Sequence, residues 1–191
     1  MLARKPDEVV ETKTVPDQPE SPGQREYVPT LAAYPTPQVV ANAWAAVATG
    51  MLVGMVAGIV MMLVMMVLFA ATGRDFWEPL KLFAVPAYGP YALITGANAV
   101  AVGLMFHLMI ASLIGIIYAA LVALTLGRPA AGASAALGVL YGAIVWLLAQ
   151  FVFLPMTYPL IAAAFPTWLF AFGHLAYGLT LGLWPSSYRA S

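Results

Sequence analysis

The sequence predicts an all-α fold: an integral membrane four-helix bundle, built from two tandem helical hairpins, with an extended N-terminal tail. Three observations predict it. Of 191 residues, 62% are hydrophobic and only 8% charged, where an ordinary soluble domain carries roughly 25% charged residues. The charges are segregated, with none between Glu26 and Arg74, Lys81 and Arg128, or Arg128 and Arg189. The intervals hold four apolar stretches near the roughly 20 residues that cross a bilayer as helix, and short motifs recur among them in one order.

Residues 1–40 read as a polar, Pro-rich tail or arm. Pro6, Pro16, Pro19, Pro22, Pro29, Pro35 and Pro37 break helices and favour extended chain. The opening lacks an apolar core, so it is not a cleavable signal peptide, and the first span is expected to act as an uncleaved insertion signal. The later stretch EYVPTLAAYPTPQ sets Tyr27 and Tyr34 among prolines, which suits an arm lying extended on a partner protein. A disordered anchor tail is the alternative.

Residues 41–191 form the transmembrane domain, with spans at 43–71, 92–126, 131–154 and 167–184. An even count puts both termini on one side. Arg128 and Arg189 flank spans there, with Arg4, Lys5, Lys13 and Arg25 in the tail, against Arg74 and Lys81 opposite. The positive-inside rule then places the N- and C-termini in the cytoplasm. The expected location is the bacterial inner (plasma) membrane, multi-pass. Without cysteine, disulfides, thiolate metal sites and thiol catalysis are excluded.

The first span carries Gly50, Gly54 and Gly58, and the third Ser134, Gly138 and Gly142. Small residues at four-residue steps form a glycine-zipper pattern that lets helix backbones approach closely in lipid. After the first span comes PLKLFAVP and after the third PLIAAAFP; the second span then reads HLMIASLIG and the fourth HLAYGLTLG. A small-residue helix, a proline-bracketed connector and a histidine helix thus occur twice in order, as a duplicated hairpin with its axis along the membrane normal. The connectors read as interfacial segments on the non-cytoplasmic side, with Trp77, Tyr88, Tyr91, Tyr158 and Trp168 as an aromatic belt.

His107 and His174 are the two histidines, each near the middle of its span. A sharp reading makes them cofactor-binding: axial ligands from parallel helices clamping a b-type haem in a bundle core. The plainer reading makes each a neutral histidine hydrogen-bonded across the bundle to Ser112, Thr180, Asn98, Gln150 or a backbone carbonyl, with no cofactor. Met51, Met55, Met61, Met62, Met65 and Met66 could offer thioethers to Cu(I), but adaptable packing explains them better, and no metal site is expected. No span contains a carboxylate, which argues against an enzyme, against catalytic residues, and against proton-coupled transport of a large polar solute. Asp75 and Glu78 fit a local ion-pair cluster with Arg74 and Lys81.

From Trp44 to Trp184, the glycine-lined first helix, tryptophan-containing connector, second-helix histidine and fourth-helix GHL resemble a group of four-helix bacterial inner-membrane proteins. The build is also similar to small accessory subunits of respiratory or photosynthetic electron-transfer complexes such as alternative complex III. That resemblance implies a structural or accessory membrane subunit of an electron-transport assembly, with other integral membrane subunits and lipid as partners and no nucleic acid. The alternatives are an electron carrier using His107 and His174, as a bis-histidine haem b protein or beside a quinone, and a small channel or carrier.

Overall fold

A computed structural model describes residues 37–125 and 131–184. Chain contacts divide the protein into two units, Met1–Pro35 and Thr36–Ser191, and all that follows concerns the second. Apart from residues 37–40, the tail lies outside the described residues, as do Arg128 and Arg189. Every regular element among the described residues is helical.

Helix α1, Pro37–Ala71, opens on a proline, whose missing N–H costs nothing in a first turn. It therefore takes in the last residues read as tail. It stops where Gly73 adopts φ 79°, with Gly73 N–H on the Ala70 carbonyl and Arg74 N–H on that of Phe69. Those two bonds make a Schellman cap, whose left-handed position glycine occupies without strain.

The first connector folds as α2, Glu78–Phe83, α3, Val85–Tyr88, and a 3-10 helix, Gly89–Leu93. Leu80, Leu82 and Ala84 turn inward. Arg74 pairs with Glu78, and Lys81 Nζ reaches Asp75 Oδ2 at 2.6 Å. The Lys81 ammonium, helped by the Trp77 N–H, holds the Asp75 carboxyl below its ordinary 3.8. A depressed folded-state value means this pair stabilises the protein above that pH and is lost as pH falls through it. A small drop in unfolding temperature below about pH 4 is expected, weakened by salt because Asp75 is exposed. Asp75→Asn should remove that component, and a thermal scan across acidic pH checks it.

Helix α4, Ala97–Thr125, starts later than the apolar run at 92 suggested. Thr95 folds back, its N–H and hydroxyl both on the Tyr91 carbonyl, so the chain turns before the helix begins. Helix α5, Ala131–Leu148, conversely continues past 154 through a π-helical turn, Ala149–Phe153, into α6, Leu154–Thr157. Leu154 N–H bonds the Ala149 carbonyl five residues back; the widened turn accommodates Pro155, whose ring would clash with a carbonyl in a regular helix. Then come α7, Pro159–Ala164, and α8, Thr167–Gly182. Phe165, at φ −81° and ψ 116°, takes the extended geometry imposed by Pro166.

Among the described residues, three helices are long and apolar enough to cross a membrane: Trp44–Ala71, Ala97–Ala123 and Gly132–Thr157. Helix α8 has 16 residues, about 24 Å at 1.5 Å per residue, so it falls short of the other three. Helix α1 packs along α4 and also against α8, and α8 packs along α5. The core runs from Val53, Met61, Met65 and Phe69 to Leu169, Tyr177 and Leu181. Tyrosines bridge the remaining sides: Tyr141 donates to the Ile114 carbonyl at 2.9 Å, and Tyr177 to that of Ala111 at 2.6 Å.

Candidate functional site

The α1/α4 and α5/α8 crossings are both built on small residues. A Cβ on Gly54 would stand 2.6 Å from the Ala111 carbonyl oxygen and 3.0 Å from Gly115 Cα. Gly50 meets Gly115 and Ala119, and Gly58 meets Ala111 and the His107 ring. Across the second crossing, a Cβ on Gly138 would stand 2.7 Å from Gly182 N and would run into the Gly178 carbonyl. Gly142 lies against the His174 carbonyl, and Gly182 against that of Ser134. Backbone meets backbone at both crossings, which only glycine-sized residues allow.

His107 and His174, 67 positions apart in the chain, line one cavity of about 140 Å³. Its walls come from α4 and α8, from α5 and its π turn, from the two connectors, and from Met61 of α1. Both imidazoles are buried. His107 Nε2 lies 2.9 Å from the Gly58 carbonyl on α1, and His174 Nδ1 lies 2.9 Å from the Phe170 carbonyl one turn earlier. Of the partners expected for these rings, the backbone carbonyl is therefore the one used. Ser112 and Thr180 instead bond carbonyls of their own helices, and Gln150 Nε2 reaches the Ala162 carbonyl at 3.5 Å. Asn98 is exposed.

Carbonyl oxygens only accept, so the nitrogen facing each one carries the proton. Neutral His107 is then the Nε2–H form and neutral His174 the Nδ1–H form, leaving one bare acceptor nitrogen on each ring.

An aromatic series joins the two histidines. His107 meets Phe83 edge to face at 4.8 Å between centroids, and Phe83 meets Phe165 at 6.0 Å. Phe165 stacks on Phe170 at 4.8 Å, and Phe170 meets His174 at 4.4 Å. Sequence reasoning missed Phe83, Phe165 and Phe170. The only signal for Phe83 and Phe165 was their position inside the two proline-bracketed connectors.

A bis-histidine haem clamp would need a free nitrogen from each ring facing one plane and room for the macrocycle between them. His107 Nε2 and His174 Nδ1 are held by carbonyls, so His107 Nδ1 and His174 Nε2 are the nitrogens left for a ligand, beside a cavity of about 140 Å³. Trp146 Nε1 and Gln150 Oε1, one turn apart where α5 passes into the π segment, are a buried donor and acceptor without a hydrogen-bond partner among the described residues. No protein family, no curated protein and no solved structure matches this chain.

Proposed function

We propose that this chain is a multi-pass protein of the bacterial inner membrane, made of two tandem hairpins, that serves as a structural or accessory subunit of a larger membrane complex of electron-transfer type. One observation carries the architecture: the two crossings share a register. Gly50 with Gly115, Gly54 with Ala111 and Gly58 with His107 correspond to Ser134 with Gly182, Gly138 with Gly178 and Gly142 with His174. Helix α8 is the fourth span in this reading, its shortness met by Leu183 and Trp184 beyond its end and by local thinning of the bilayer.

The accessory role is supported by what the helices do with their polar groups. Both histidines, Tyr141 and Tyr177 each bond backbone carbonyls inside the fold. Outward, α5 and the π turn present Leu140, Ile144, Leu147, Leu148 and Phe151, a surface suited to lipid or to partner helices. The chain works without a cofactor and is not an enzyme; with no charged residue in the four predicted spans, it has no coupling group of the kind pumps use.

Purification from native membranes in mild detergent, with an absorption spectrum and mass spectrometry of the copurifying chains, tests this reading. A colourless chain in fixed ratio to the same integral subunits is the expected result. A reduced-minus-oxidised band that stays with the isolated chain would overturn it in favour of a cytochrome, and a stable, partner-free monomer or homodimer in favour of a channel or carrier.

A further inference from the structure

We propose that the cavity shared by His107 and His174 is a binding site for a phenol- or hydroquinone-type ring carrying an apolar tail, with the ring hydroxyl donating to His174 Nε2. The inference concerns a ligand and holds whether or not the chain has a protein partner.

The hydrogen-bond polarity of the site fixes the ligand's polar group. His174 Nδ1–H is committed to the Phe170 carbonyl, so Nε2 is a lone-pair acceptor, and it has no hydrogen-bond partner among the described residues. An acceptor left unmatched beside an apolar wall is costly. The hydroxyl of Tyr177, which also lines the cavity, bonds the Ala111 carbonyl. The missing group is therefore a donor from outside the chain. A ligand carbonyl or ether cannot supply it, because acceptor would face acceptor. A hydroxyl can.

Shape and lining fix the rest. About 140 Å³ matches the apolar cavities of roughly 150 Å³ that take up a benzene ring. The rings of Phe83, Phe165 and Phe170 along the wall offer edges and faces for a flat aromatic guest. A buried water needs two to four polar partners, and the polar side chains of the lining are the two histidines, Tyr158 and Tyr177; the aromatic walls favour a ring over water in the rest of the space. The cavity is not sealed: among its lining residues Pro86, Ile110 and Phe153 are exposed. An apolar tail leaves between α4 and the π turn, across apolar side chains throughout.

The test uses the full chain in mild detergent and two probes differing in one methyl group, 4-hexylphenol and its methyl ether 4-hexylanisole, each partitioned by equilibrium dialysis against empty micelles. One saturable site per chain is expected, with the phenol bound about fivefold more tightly than the ether, the value of one net hydrogen bond. His174→Phe should abolish that preference and lower phenol binding to the level of the ether. Should this variant fail to fold, the ¹⁵N resonance of His174 Nε2 in the native protein gives the second readout. It should move toward the hydrogen-bonded range with the phenol and stay in place with the ether. Equal binding of the two probes, no saturable binding, a preference that persists in His174→Phe, or an Nε2 resonance indifferent to the phenol would each overturn the proposal.

Discussion

Replacing Gly138 with leucine should lower the unfolding temperature by about 10 °C, corresponding to roughly 3 kcal/mol in a chain of this size. The reason is the nature of the obstacle. A side chain there meets the Gly178 carbonyl and the Gly182 backbone, neither of which can swing aside as a methionine would. The crossing must open, and with it the buried contacts of Leu169, Phe170 and Tyr177 on α8. Gly54→Leu should act alike on the first crossing, against Ala111 and Gly115. Gly132 is the control, since a Cβ there meets nothing within 4 Å, and Gly132→Leu should leave stability unchanged or slightly raised through helix propensity. Met62→Leu, a volume-conserving change at a buried site, should cost under about 1.5 kcal/mol. Thermal unfolding in mild detergent ranks the four variants, and equal shifts at Gly138 and Gly132 would remove the case for close backbone approach.

The helical class was legible because it rests on local signals. Long uncharged runs mark the helices, and proline pairs mark the breaks at 79–86 and 159–166. Boundaries failed where local bonding outweighed hydropathy. Residues 92–96 are apolar enough to read as span, yet Thr95 and the Gly89–Leu93 turn take them out of α4. Pro155 reads as a helix end, but a single π turn carries the helix past it, an adjustment that no composition reveals.

The small-residue steps were visible in sequence; what each step rests on was not, because pairing Gly54 with Ala111 or Gly138 with Gly178 is a fact of tertiary packing. The histidines stood out as polar groups in apolar helices. Their tautomers did not, since these depend on which carbonyl each ring nitrogen reaches, and the cavity they share depends on phenylalanines as far apart in the chain as Phe83, Phe106, Phe153, Phe165 and Phe170.

Arg74→Ala is expected to destabilise the protein by about 2–3 kcal/mol, or roughly 5–10 °C, although the residue sits in what the sequence shows only as a short connector. Its guanidinium ties three elements together. Nε and Nη2 form a two-point fork with the Glu78 carboxylate, Nη1 donates to the Ala164 carbonyl at 2.8 Å, and the group lies 4.4 Å from the ring of the fully buried Phe69. The first connector is thereby fixed to the end of α7, beside the Phe69 to Phe165 contact at 5.8 Å. Removing the side chain strands both the Glu78 carboxylate and the Ala164 carbonyl in a partly buried setting, where an unpaired group costs more than the pair itself contributes. Lysine keeps the charge but not the planar fork, so Arg74→Lys should recover only part of the loss. A double-mutant cycle of Arg74→Ala with Glu78→Gln, read by thermal unfolding, should return a coupling of about 1 kcal/mol or more. Additive effects within about 0.3 kcal/mol would mean that the fork holds nothing in place, and the tie between the connectors would then have to rest on the phenylalanine contacts alone.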